Sequence, residues 1–215
     1  MNHPPSPLNV ETFALGLSAL SERDPDLAQI LRTLGPPPMW VRDEGFATLI
    51  HIILEQQVSL ASAKAAFDRL ADNVSPLTPA GFLALDDAAL RAIGFSRRKA
   101  GYGRYLAEAI AAGRFNPESL RDLDDDAARA ALVRLKGIGP WSADIYLLMA
   151  LRRPDVWPAG DLALAQAAHK AKRLSCCPSP REMETLADPW RPWRAVAARM
   201  LWHLYLRGPK TGFAP

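Results

Sequence analysis

Three groups of residues have types and spacings that could do chemistry. The first is Leu135-Lys136-Gly137-Ile138-Gly139-Pro140-Trp141-Ser142-Ala143-Asp144. Two glycines one residue apart let the backbone turn sharply and come close to something outside the protein. N–H groups at the start of the helix that follows, together with its dipole, suit an anion such as a phosphate. Contacts of that kind hold a nucleic-acid backbone without reading its sequence; taken alone, the same GxG is an ordinary helix–helix turn. The second is Asp161, twenty-two residues after Gly139, within Val156-Trp157-Pro158-Ala159-Gly160-Asp161-Leu162-Ala163-Leu164. Asp is among the best N-capping residues, so its structural role is to start the next helix. Backbone N–H bonds and a helix dipole also favour the ionised form of a capping carboxylate, which is the form that stabilises a developing cation. The third is the polar run Glu55-Gln56-Gln57, which ends an otherwise apolar stretch.

These groups must be positioned by helices. Capping signals recur along the chain and period-two alternation is almost absent, which predicts an all-α fold of about ten to thirteen helices. Asp24-Pro25 and Thr78-Pro79 each pair an N-cap with a proline at the first helical position. Ser179-Pro180 does the same, and Glu182 completes a capping box. Asp86 caps a short helix ending before Gly94, and Ser96 caps a longer one that Gly113 closes. Gly45–Leu54 is apolar on nearly all sides, as a helix buried in a core must be. Pro36-Pro37-Pro38 is a rigid connection, and Pro4, Pro5 and Pro7 suggest a poorly ordered tail.

With 215 residues, 49% apolar and 23% charged, the chain can bury a core without disulfide or metal staples, and its composition excludes disorder, collagen and coiled-coil arrays. Its longest stretch free of Asp, Glu, Lys and Arg, Asn73–Leu85, has 13 residues and two prolines, too short to span a bilayer. The opening MNHPPSPLNV lacks the basic and apolar regions of a secretory signal, so a cytoplasmic location is expected. Cys176 and Cys177 are neighbours and cannot by themselves form a disulfide framework or a four-ligand metal site. The net charge of +3 is unevenly spread. Residues 1–56 carry 3 basic and 7 acidic side chains, 57–133 carry 10 and 10, and 134–215 carry 13 and 6. The basic last third suits a polyanion or is simply a solvated surface.

LKGIGPWSAD followed by PAGDLAL resembles the helix-hairpin-helix DNA glycosylase superfamily, which cuts damaged bases from DNA, and within it the 3-methyladenine DNA glycosylase II group. The resemblance extends to Ile52-Ile53-Leu54-Glu55-Gln56-Gln57-Val58-Ser59, to Leu90–Ala100 and to Arg191–Trp202, in order over roughly residues 24–207. It implies two helical subdomains with the active-site cleft between them. Residues 57–150 would form the central one, and 1–56 plus 151–215 the other. A helical start leaves no room for the β-rich N-terminal domain that bacterial members often carry.

The resemblance also assigns roles. Asp161 matches the catalytic aspartate. Trp141 stands two residues after Gly139, where relatives that also nick the strand carry a Schiff-base lysine; Lys136 precedes the hairpin and does not fill that place. A water-using, monofunctional enzyme is therefore expected. Lys136, Gly137, Ile138 and Gly139 would hold the DNA backbone, and Gln57, with Gln56 beside it, would wedge into the base stack. Trp202 and Trp141 match positions lining the base pocket, and Trp40 is a third candidate; an electron-poor base gains from stacking on such rings. Trp190 and Trp193 are read as packing residues, and His51 and His203 as structural. No cofactor is expected. The family's four-cysteine iron-sulfur loop lacks its ligands here, and family hairpins can hold a monovalent cation on their carbonyls. The expected partner is duplex DNA carrying a damaged base, bound by a monomer, without a membrane. Two alternatives stay open: a noncatalytic helix-hairpin-helix DNA-binding module, and a glycosylase for a neutral oxidised or deaminated base.

Overall fold

The computed structural model describes residues 6–207, so the readings on Pro4 and Pro5 lie outside the described residues. Those residues form twelve α-helices and two 3₁₀ turns, with no strand among them. In order the helices are α1 (Val10–Arg23), α2 (Pro25–Leu34), α3 (Phe46–Glu55), α4 (Leu60–Asn73), α5 (Pro79–Leu83), α6 (Asp87–Ile93) and α7 (Arg97–Ala111). They continue with α8 (Asp125–Val133), α9 (Pro140–Met149), α10 (Leu162–Ala171), α11 (Pro180–Ala187) and α12 (Arg194–Arg207). The 3₁₀ turns are Pro117–Asp122 and Asp188–Trp190.

The punctuation explains the boundaries. The Asp24 side chain accepts from the Asp26 and Leu27 N–H groups and starts α2. Thr78 accepts from Gly81 and starts α5. Asp86 and Ser96 cap α6 and α7, and Gly94 closes α6 in the left-handed conformation at φ +117°. The Ser179–Glu182 capping box at α11 is formed in both directions. Asn9 and Thr12 make a second such box at α1. Each cap of this kind stabilises its helix by about 1 kcal/mol.

The chain divides into two compact units. The central unit runs from Arg42 to Leu151, not from 57. The difference is α3, eight of whose ten residues are buried and which packs on α4, α7 and α9. A helix apolar all round must lie inside a core, but its composition does not say which core. The start of the unit is fastened by the Arg42 N–H, which donates to the Met149 carbonyl. Arg42 also forms a two-pronged pair with the buried Glu55, at 2.9 and 2.6 Å.

The terminal unit combines residues 6–41 and 152–207, with α12 packed on α1, α2 and α10. The approach of α1 to α12 is close: a methyl group added at Gly16 would sit 2.9 Å from Val196 Cγ2 and 3.1 Å from Trp193 Cε3. Trp190 is buried, meets Trp157 edge-on and donates from Nε1 to Asp24. Trp190, read as a packing residue, serves that role, and Trp193, the other, is half-buried against Gly16 of α1. Among the described residues no helix is long and apolar enough to cross a membrane.

Candidate functional site

The hairpin and the Glu55-Gln56-Gln57 segment belong to the central unit. α8 ends at Val133 and α9 begins at Pro140, and the turn between them is closed by Leu135 N–H to Leu132 O and Ile138 N–H to Leu135 O, both 3.0 Å. Leu135 and Ile138 anchor the turn in the core, while Lys136 and Gly139 are exposed. Gly137 has φ +91°, and a Cβ there would collide with the Tyr102 ring of α7. Only glycine fits. At Gly139 the space is open, and no side chain caps the start of α9. The backbone can thus be approached closely from outside at a helix N-terminus, the geometry an anion needs. Gly137→Ala combines left-handed strain with that collision, which costs about 1–3 kcal/mol. Anisotropy titration with damaged duplex DNA is expected to show affinity lowered about tenfold, with helix content by circular dichroism unchanged.

The two glutamines have different fates. Gln57 is exposed, holds φ +56°, and accepts from Arg98 Nη2 at 3.3 Å. Gln56 is half-buried, and its Nε2 donates to the Gly137 carbonyl at 2.8 Å and to Ser142 Oγ at 3.0 Å. Its amide is spent inside the protein, tying the end of α3 to both sides of the hairpin. Lys99 adds a second tie, donating from Nζ to the Leu54 carbonyl at 2.7 Å, where its charge complements the C-terminal dipole of α3. Gln57 is thereby presented from a segment fixed to the hairpin.

Asp161 belongs to the terminal unit. Pro158 and Gly160 lead into a tight turn, with Asp161 N–H donating to Pro158 O at 2.9 Å. The Asp161 side chain caps α10, its Oδ1 accepting the Leu164 N–H at 2.9 Å. The same oxygen accepts Trp202 Nε1 from α12 at 3.2 Å. Asp161 and Trp202 are each 8% exposed. The ring of Trp40 meets that of Trp202 edge-on, centroids 6.4 Å apart and planes at 77°. A buried carboxylate is oriented by a helix start and by the Trp202 indole, whose ring in turn meets that of Trp40.

The family model described as HhH-GPD superfamily base excision DNA repair protein matches residues 50–192. The chain belongs to this superfamily. DNA-3-methyladenine glycosylase 1 of Schizosaccharomyces pombe is 30% identical over 190 residues, 86% of this chain and 83% of that one. Among solved structures, S. pombe 3-methyladenine DNA glycosylase (Mag1) in complex with abasic DNA superposes with a TM-score of 0.79 at 28% identity, covering 89% of this chain and 95% of its own. A DNA-3-methyladenine glycosidase from Bacillus halodurans superposes at 0.73 with 26% identity, over 88% of each chain.

The HhH-GPD match spans the hairpin, the glutamines and Asp161, and its end at 192 falls before α12, which supplies Trp202. Of the three aromatic candidates, Trp202 holds Asp161 and meets Trp40 edge-on, whereas Trp141 stands half-buried in the first turn of α9, in the central unit. Both unassigned histidines have structural surroundings. His51 stacks on Phe67 with centroids 4.3 Å apart, and burial lowers its pKa despite the nearby Glu55. His203 Nε2 lies 3.2 Å from the Leu34 carbonyl. Cys176 and Cys177 are free and exposed. Sequence reasoning passed over one residue of the terminal unit: Arg199, wholly buried in α12. The available signal was a guanidinium set among Val196, Ala197, Ala198, Met200, Leu201 and Trp202, where no solvent-facing stripe exists to take it.

Proposed function

We propose that this HhH-GPD chain is a monofunctional DNA glycosylase that hydrolyses the N-glycosidic bond of alkylated purines, of the 3-methyladenine type, in duplex DNA and leaves an abasic site. The observation that carries the reading is Asp161 capping α10 and held by the Trp202 indole. The names of the relatives above point to the same substrates.

A purine alkylated on a ring nitrogen is already positively charged and leaves as a neutral molecule. Glycosidases that expel a poorer leaving group need a second carboxyl as general acid; here one carboxylate suffices. Asp161 stabilises the oxocarbenium character that develops on the sugar, and aligns or deprotonates the attacking water. The bonds it accepts from Leu164 N–H and Trp202 Nε1 restrict rotation of the carboxylate, so it needs little reorganisation as the cation forms. Trp40 and Trp202 offer rings on which a cationic base is favoured over an ordinary one.

Extruding the nucleotide costs roughly a few kcal/mol. The hairpin backbone and Lys136 hold the strand by its phosphates, and Gln57 fills the vacated space. Gln56 serves them from behind rather than entering the DNA. Trp141 supplies no amine, so the abasic sugar is released without a Schiff base. No cofactor enters this reaction. A monovalent cation on the hairpin carbonyls would add attraction for a phosphate, with the Gly137 carbonyl already engaged by Gln56. The enzyme would act as a single chain wherever chromosomal DNA lies.

The test is incubation with alkylated duplex DNA, chromatography of released bases, and strand analysis with and without hot alkali. Free 3-methyladenine or 7-methylguanine, from strands that break only after alkali, is the expected result. Breakage by the protein alone would refute the monofunctional mechanism. Binding without any base release would identify a DNA-binding module instead.

A further inference from the structure

Arg199 is an expensive residue in its place. It has no exposed surface, and burial pulls its pKa down to about 10. Its guanidinium donates from Nε to the Met39 carbonyl at 2.5 Å and from Nη1 to the Ala195 carbonyl of its own helix at 2.9 Å. Met39 immediately precedes Trp40, which has φ +45°, a left-handed conformation uncommon for a bulky residue. Strain of this sort persists where the surroundings over-determine it, and it concentrates at functional sites.

Segment 34–40 is fastened to α12 at two points. His203, four residues after Arg199 and so on the same face of the helix, meets the Leu34 carbonyl at the segment's start. Arg199 takes the Met39 carbonyl at its end. Between them stand Gly35 at φ +74° and Pro36, Pro37 and Pro38, which stiffen the path. One turn further along α12 from Arg199 is Trp202, whose ring meets Trp40 and whose Nε1 holds Asp161. A single helix therefore carries the indole that orients the carboxylate and the guanidinium that clamps the backbone of the second indole.

We propose that Arg199 is a positioning residue that fixes Trp40 against Trp202 and thereby sets the preference of the site for cationic over neutral bases. The inference rests on the glycosylase reading above. Arg199 touches no substrate. It acts by holding the Met39 carbonyl, so that Trp40 keeps the orientation in which its ring can border an electron-poor base. A guanidinium suits this task because its fork of donors serves two carbonyls at once, whereas an ammonium is a point donor.

The experiment compares kcat and KM for release of 7-methylguanine, which is cationic, and hypoxanthine, which is neutral, from otherwise identical duplexes. It uses wild type, Arg199→Met, Arg199→Lys, Trp40→Leu and the Arg199→Met/Trp40→Leu double variant. Met approximates the length of the buried side chain without its charge or its donors, so the Met39 and Ala195 carbonyls lose these hydrogen bonds. The expected result is a cationic-to-neutral ratio of kcat/KM lowered about tenfold by Arg199→Met and by Trp40→Leu, with no further loss in the double variant. Arg199→Lys should recover part of the ratio.

A purely structural role for Arg199 would reduce release of both bases in proportion and leave the ratio unchanged, which overturns the proposal. A wild-type ratio in Trp40→Leu overturns it as well. If Arg199→Met does not fold, Arg199→Lys and Trp40→Leu decide: a ratio nearer wild type in the former than in the latter supports the clamp, and equal ratios overturn it. Absence of base release by the wild-type protein would instead overturn the glycosylase reading.

Discussion

Asp161→Asn is expected to abolish release of alkylated bases while leaving the folded protein and its hold on damaged DNA intact. The substitution is informative because the two roles of Asp161 separate cleanly. Asn caps helices about as well as Asp, and its side-chain oxygen can still accept the Leu164 N–H and Trp202 Nε1 bonds that Asp161 Oδ1 accepts. Thermal stability should therefore change little. The lost quantity is negative charge at the sugar. Removing one preorganised electrostatic contact from an active site typically slows reaction by about 10²–10³-fold, and a full charge facing an oxocarbenium ion should be worth at least that. Single-turnover release of 7-methylguanine measures the first effect and anisotropy on damaged duplex the second. Release at the wild-type rate would remove Asp161 from the mechanism. Asp161→Ala, by contrast, should also lose about 1 kcal/mol of stability through the missing cap.

The largest effect on stability is expected at Asp24, whose partner Lys172 lies at the opposite end of α10 from Asp161. Its carboxylate caps α2, receives Lys172 Nζ on both oxygens at 2.6 Å and accepts the buried Trp190 Nε1 at 2.7 Å. Lys172 in turn lies 5.9 Å from the centre of the Trp190 ring and 3.1 Å from Asp26. Asp24→Ala removes the shared acceptor and strands a buried indole N–H and a largely buried ammonium. Breaking a buried pair by deleting one partner costs about 3–5 kcal/mol, which urea unfolding of the two proteins would measure. A difference below about 1 kcal/mol would show that Asp26 takes over.

The same site carries a pH signature. Burial pushes the Asp24 carboxyl upward, but hydrogen bonds from Lys172, Trp190 and the Leu27 N–H, with the charge of Lys172, outweigh it and hold the group below the ordinary aspartate range. A depressed carboxyl contributes stability above its unfolded value, about 3.9, and loses it as the pH falls through the folded value. The stability gap between wild type and Asp24→Asn should therefore be widest near neutrality and narrow below about pH 4.

Much of this arrangement is legible in the sequence because it is local. Asp24-Pro25, Thr78-Pro79, Asp86 with Gly94, and Ser179 with Glu182 each announce a helix end through a bond spanning three or four residues, and each is found where its spacing places it. The pairing of Asp161 with Trp202 is not local, and only the resemblance to known glycosylases brings the two together on paper.

Contacts that run backwards along the chain escape reading altogether. Gln56 and Gln57 are identical side chains one position apart, and nothing in their types says that one turns inward to the Gly137 carbonyl while the other faces outward. α3 is apolar on every side, so its pattern is silent about which unit it joins. Arg199 sits in a run too apolar to offer it a solvent-facing stripe, yet nothing in that run says that its guanidinium reaches back to the Met39 carbonyl.

The hairpin that Gly137 shapes has a consequence for how damage is found on a chromosome. On the proposed reading, a grip made of backbone and one lysine would be the same on every base pair, so the protein would gain nothing by pausing at one sequence over another. Discrimination is deferred to the moment a nucleotide leaves the stack, where a weakened pair opens most cheaply. An enzyme built this way surveys the genome blindly and lets the lesion's own instability choose where it stops.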